Sequence, residues 1–143
     1  MAQMKFSRLR FCQEASDKLS QLKGRTGLTP NILARIGFAM SLNDPSFPNP
    51  DDFPPDSNRE IDRQVLLGQW DSLVIALLKE RCSRDGVPIN DEELLAQLRA
   101  HMNRGVLLLH KRVRNLKDLG LLLPRSLSVP PAEIMLEEVE ENA

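Results

Sequence analysis

A chain of 143 residues, 41% of them hydrophobic, with a net charge of −1 has room for one domain whose core buries roughly two thirds of its surface. Aromatic residues make up only 4%, with no Tyr and one Trp, so Leu, Ile, Val and Ala must build that core, which favours helices over a β-sandwich. No apolar run approaches the ~18 residues of a membrane span, Met1–Lys5 leads into charge rather than an apolar signal region, and Cys12 and Cys82 are too few for a disulfide scaffold, so a cytoplasmic protein without a membrane partner is expected.

Residues 4–11, Met-Lys-Phe-Ser-Arg-Leu-Arg-Phe, predict a short strand whose apolar alternation changes phase between Phe6 and Leu9. From Cys12 the period becomes helical: Cys12, Ala15, Leu19 and Leu22 share one face, and Gly24 and Gly27 are expected to stop the helix. Thr29-Pro30 restarts one, Thr as N-cap and Pro in the first turn, with Ile32, Leu33, Ile36, Ala39 and Met40 on a broad apolar face. Five prolines between 43 and 58 exclude regular structure there, and the length of that loop suggests a functional segment, a mobile one or an arm to a neighbour. Glu60–Leu67 reads as a second short strand ended by Gly68. Asp71 or Ser72 then caps a helix through Cys82 that is apolar nearly all round over Leu73–Leu78, which places it centrally or at a subunit interface. Asn90 or Asp91 caps the last long helix, whose seam runs Leu94, Leu98, Met102, Val106, Leu109, Val113, Leu116, with Gly105 marking a kink or a close helix contact.

The expected fold is mainly α. A ribbon–helix–helix-like unit of one short strand and two helices (4–42) precedes the Pro-rich loop (43–58). A helical part with a central and a long C-terminal helix (59–124) completes a single domain over 1–124, with few or no other strands, and 125–143 form a flexible acidic tail.

Charge is distributed unevenly. Residues 1–50 hold seven Lys/Arg against three acids, and residues 125–143 hold one against five. A basic head with an acidic tail serves solubility, or marks a polyanion-binding surface screened by the tail. Enzyme signatures are mostly absent: there is no Walker loop or dinucleotide glycine motif, and His101 and His110, nine residues apart on one helix, cannot clamp a metal together. No cofactor, metal or catalytic residue is expected. His101 reads as a structural histidine beside the seam. Cys12, following Arg8 and Arg10 at a helix start, is the one candidate nucleophile, weighed against a buried core thiol. The polyanion pattern is stronger. Lys23-Gly24-Arg25-Thr26-Gly27-Leu28-Thr29-Pro30-Asn31 puts two cations and two glycines just before a helix N-terminus, preceded by Lys5, Arg8, Arg10 and Lys18. These six cations are the candidate phosphate-contacting residues, weighed against an ordinary helix–helix turn with solvated charges. A second basic run, His110–Lys117, is explained by the helix dipole and ranks behind them.

Three blocks carry a resemblance: Leu22-Lys23-Gly24-Arg25-Thr26-Gly27-Leu28-Thr29-Pro30-Asn31-Ile32-Leu33-Ala34-Arg35-Ile36, Gly68-Gln69-Trp70-Asp71 leading into Ala76-Leu77-Leu78-Lys79, and His101-Met102-Asn103-Arg104-Gly105. The chain resembles the DndE family of the bacterial DNA phosphorothioation (DNA sulfur-modification) system. The resemblance implies a ribbon–helix–helix-like fold, a homo-oligomer (a tetramer), binding to duplex DNA with a preference for nicked duplex, and other phosphorothioation proteins, a cysteine desulfurase among them, as partners that do the sulfur chemistry. The expected function is a non-enzymatic DNA-binding accessory. A protein–protein scaffold of the modification complex and a sequence-specific ribbon–helix–helix repressor are the alternatives.

Overall fold

Residues 4–122 are described in a computed structural model of the chain; the expected acidic tail, 125–143, lies outside the described residues. The order is β1 (Arg8–Arg10), α1 (Gln13–Thr26), α2 (Pro30–Asn43), a 3-10 turn (Pro50–Asp52), β2 (Glu60–Asp62), α3 (Arg63–Leu67), a 3-10 turn (Gly68–Trp70), α4 (Asp71–Arg84), α5 (Asp91–Arg112) and a 3-10 segment (Leu116–Leu122). The fold is mainly α, a short strand followed by helices, as the sequence implies.

α5 starts where its cap predicts: the Asn90 side chain accepts a hydrogen bond from the Glu93 N–H. Its seam residues Leu94, Leu98, Met102, Val106, Leu109 and Val113 are buried, but Leu116 is exposed. The helix ends at Arg112 because Val113 is extended and the Asp118 carboxylate accepts from the Arg114 and Asn115 N–H groups, opening a new helical turn. α2 lies against α5 on Leu33, Ala34, Gly37, Phe38 and Ser41. Gly37 and Gly105 face each other at this crossing, and a Cβ on Gly37 would stand 2.6 Å from the Gly105 carbonyl carbon. Gly105 therefore marks a close helix contact. α1 buries Ala15, Leu19 and Leu22 beside α5. It runs through Gly24 to Thr26 and ends at Gly27, whose φ of 78° lies in the left-handed region that suits glycine.

The strands are shorter than expected and pair within the chain: β1 and β2 are antiparallel, with Arg8 opposite Asp62, Leu9 opposite Ile61 and Arg10 opposite Glu60. Residues 63–67 are helical. Leu66 and Leu67 are both buried, which a strand, sending neighbours to opposite faces, would not achieve. The Pro-rich loop is strapped down by side chains. Arg104 donates to the Ser41 and Ser46 carbonyls at 2.8 Å, and Arg81 donates to those of Leu42 and Ser46 at 2.9 and 2.7 Å. Arg99 holds the Phe53 carbonyl, and Asp56 accepts from the Gln13 N–H at the start of α1. α4 is apolar on two sides. Val74, Ile75, Leu78 and Cys82 are buried, while Trp70, Leu73 and Leu77 are 47, 53 and 41% exposed and line an open apolar groove with Ile32, Ile36 and Ala39 of α2.

His101 is fully buried on α5, its Nδ1 2.8 Å from the Ser41 hydroxyl, which also accepts from Arg104 Nε. Burial, then the nearby Arg104 and Arg81 charges, hold its pKa down to about 3. In the unfolded chain this histidine takes up a proton near pH 6.5, while the folded chain keeps it neutral, so stability falls as pH drops below 6.5. We expect a loss of about 2 kcal/mol between pH 7 and pH 5 from this group. Urea midpoints at the two pH values check it, and His101→Gln should remove that part of the dependence.

Candidate nucleic-acid interface

α1 carries Lys18, Gln21 and Arg25 at i, i+3 and i+7, a single stripe along one edge of its buried face. The last turn of α5 lies alongside that edge. His110 Nε2 donates to Gln21 Oε1 at 2.8 Å. Arg114, just past the end of α5, completes the group. The His110 imidazole is held below its ordinary pKa, first by partial burial and then by the charges of Lys18, Arg25 and Arg114. Among the described residues none of Lys18, Arg25, His110 or Arg114 has an acidic partner. Lys18 and Arg25 of α1, His110 of α5 and Arg114 beyond it thus lie along this edge with no ion pair among the described residues, and the Asp118 carboxylate accepts from the Arg114 backbone N–H at 2.7 Å. Like charges held together without counter-charge raise the local potential and attract a polyanion.

The six cations singled out in the sequence do not form one patch. Lys18 and Arg25 belong to the α1/α5 cluster. Lys23 is exposed in the last turn of α1, inside the helix rather than in a loop, and about 140° around it from Lys18. Lys5, Arg8 and Arg10 sit at the strand ribbon beside the other end of α1, about 20 Å from Arg25 at 1.5 Å per helical residue. Arg8 pairs with Asp62 at 3.2 Å, and Arg10 pairs with Glu60 at 2.9 Å while also donating to the Ser57 carbonyl. The charges of the two paired strands therefore cancel, while exposed Lys5 has no ion-pair partner among the described residues. Only Gly27, Leu28 and Thr29 separate α1 from α2, and the Thr29 hydroxyl turns to the Asn31 side chain instead of capping the backbone. His110 and Arg114 were visible in the sequence only as part of a run with a sufficient dipole explanation; what makes them a site is the packing of α5 against α1.

Both thiols are buried. Cys12 is buried and its backbone N–H donates to the Asn103 side chain at 3.0 Å. Burial raises its pKa, and burial raises that of Cys82 to about 11. Both should resist a disulfide reagent at pH 8 in the folded chain and react at once in denaturant. Rapid labelling of either in the folded state would contradict this. Among the described residues no group of three His, Cys, Asp or Glu side chains could hold a metal ion, and no helix is long and apolar enough to cross a membrane.

The comparisons agree with the resemblance. A family described as "DndE: DNA sulphur modification protein DndE" matches residues 8–117. The crystal structure of DndE from Escherichia coli B7A, involved in DNA phosphorothioation modification, is 28% identical with a TM-score of 0.63 and covers 74% of this chain and 98% of its own. A glycine-to-lysine mutant of DndE involved in DNA phosphorothioation is 24% identical with a TM-score of 0.61, over 74% of this chain and 99% of its own, and supports the fold. No curated protein matches. With over half of its length matched by that one family, the chain belongs to the DndE family of DNA sulphur-modification proteins.

Proposed function

We propose that this protein is a non-enzymatic accessory of cytoplasmic DNA phosphorothioation that binds duplex DNA through backbone phosphates. The observation that carries the reading is the α1/α5 cluster: Lys18, Arg25 and Arg114 around His110, with no acidic partner among the described residues. Such a face neutralises phosphates without reading bases. The paired arginines of the ribbon argue against a repressor that reads the major groove with its strands. The exposed groove of Trp70, Leu73 and Leu77 supports assembly with further copies, a tetramer by the family resemblance, which would present several basic faces to one DNA and raise avidity. A nicked duplex bends more freely and lets two faces engage at once, which supports a preference for nicked DNA. The same apolar groove favours a second reading, a scaffold for other phosphorothioation proteins.

Fluorescence anisotropy with intact, nicked and unrelated duplexes over a salt range separates these readings. Binding that is independent of sequence and falls steeply with salt is expected, with the nicked duplex bound more tightly. Binding to one sequence alone would favour a repressor, and no binding to any duplex would leave the scaffold.

A further inference from the structure

The stretch beyond the family match has a charge opposite to that of the α1/α5 cluster. The match ends at residue 117, and 74% of this chain already accounts for 98% of the E. coli DndE chain. The C-terminal residues are therefore an addition relative to that structure. Residues 125–143 contain Glu133, Glu137, Glu138, Glu140 and Glu141 against the single Arg125. Charge, anchoring and reach favour one occupant for the cluster. We propose that the acidic segment 133–141 of the chain lies against the Lys18–Arg25–His110–Arg114 cluster and competes there with DNA; this rests on the reading of that cluster as the DNA face.

The charges are complementary: the cluster has no acidic partner among the described residues, whereas the ribbon arginines already have theirs in Glu60 and Asp62. The starting point is fixed at the right end of the molecule. Leu119 and Leu122 pack against the core, and Leu122 lines a groove with Arg112 in the last turn of α5, the turn that also carries His110 on another side of the helix. The reach is sufficient. Glu133 follows Leu122 by eleven residues, a length of chain that spans at most ~36 Å. A tether of this length holds the acids near the cluster at an effective concentration of order millimolar. Each exposed carboxylate–cation contact is weak and screened by salt, so four or five together occupy the face at low ionic strength and yield to a polyanion of higher charge density.

The test compares the full chain with the full-length variant E137Q/E138Q/E140Q/E141Q, whose residues 125–143 carry no net charge. The first readout needs no DNA: the NMR titration of the His110 ring. His101 is fully buried, and burial holds its pKa down to about 3, so it does not interfere between pH 5 and 8. Carboxylates held beside His110 favour its protonated form, so the variant should titrate about 0.5 pH unit lower at low salt, the difference vanishing in 0.5 M NaCl. The shift should be the same at low and high protein concentration. The second readout is affinity for a duplex, which the variant should bind roughly three- to tenfold more tightly at low salt. If the His110 shift is found and neither protein binds DNA, the contact stands and the proposed function falls. If affinity rises with no change at His110, the tail acts at long range and the contact is overturned. A shift that appears only at high protein concentration places the tail on another copy and also overturns it.

Discussion

Gly105→Ala should destabilise the folded chain by about 3 kcal/mol or more, although helix propensity favours alanine over glycine by about 1 kcal/mol. The two effects have opposite signs, and packing decides. The added methyl would collide with the Gly37 carbonyl group on α2, and its nearest neighbours there are backbone atoms that no rotamer change can move aside. Relief requires α2 and α5 to part, and the buried Leu33, Ala34, Met102 and Val106 lose their contacts as they do. Gly37→Ala meets the same obstacle from the other side, 2.6 Å from the Gly105 carbonyl carbon and 2.8 Å from the Val106 nitrogen. Urea unfolding checks both. A midpoint that falls with an unchanged slope is expected; stability equal to or above that of the unaltered chain would show that the helices do not approach this closely.

The second large effect concerns binding. Replacing Lys18, Arg25 and Arg114 together by glutamine removes three cations from the α1/α5 face, all of them without an acidic partner among the described residues. At about 0.9 counterion per phosphate contact, the slope of log affinity against log salt should become shallower by roughly 2 to 3. Affinity near 0.1 M salt should drop by roughly two to three orders of magnitude, by a similar factor for every duplex sequence. The folded state should hold, since the change relieves mutual repulsion. Removing a ribbon ion pair as a unit, Arg8→Gln with Asp62→Asn, should leave the slope nearly unchanged, because the pair carries no net charge. The reverse pattern would move the site to the ribbon.

What could be read in the sequence were the features that act over a few residues. The Asn90 cap, the seam from Leu94 to Val113 and the Thr29-Pro30 start gave α5 and α2. The stop of α1 was legible to within a turn; Gly24 is tolerated inside the helix, and only Gly27 needs the left-handed conformation. Proline density correctly excluded regular structure from most of 43–58. It could not reveal that this loop is held by Arg81, Arg99 and Arg104, because those partners lie 35 to 58 residues away along the chain. Nor could it reveal that Asn103 holds the backbone at the start of α1, an interaction across 91 residues. The site was legible in its composition alone. Lys18 and Arg25 stood out as cations, but Lys23 turns away from them, Arg8 and Arg10 find acids on β2, and His110 and Arg114 join only because α5 packs along α1. Periodicity gives the faces of a helix; which faces meet is set by tertiary packing.

The most direct test of the DNA-binding face is its location on the folded protein. Amide and imidazole NMR signals can be followed while a short duplex of arbitrary sequence is added at low salt. The account predicts that the largest changes fall on Lys18, Gln21, Arg25, His110 and Arg114, and that a second duplex of unrelated sequence perturbs the same residues. Changes confined to Lys5–Arg10 and Glu60–Asp62, or a pattern that differs between the two duplexes, would contradict it.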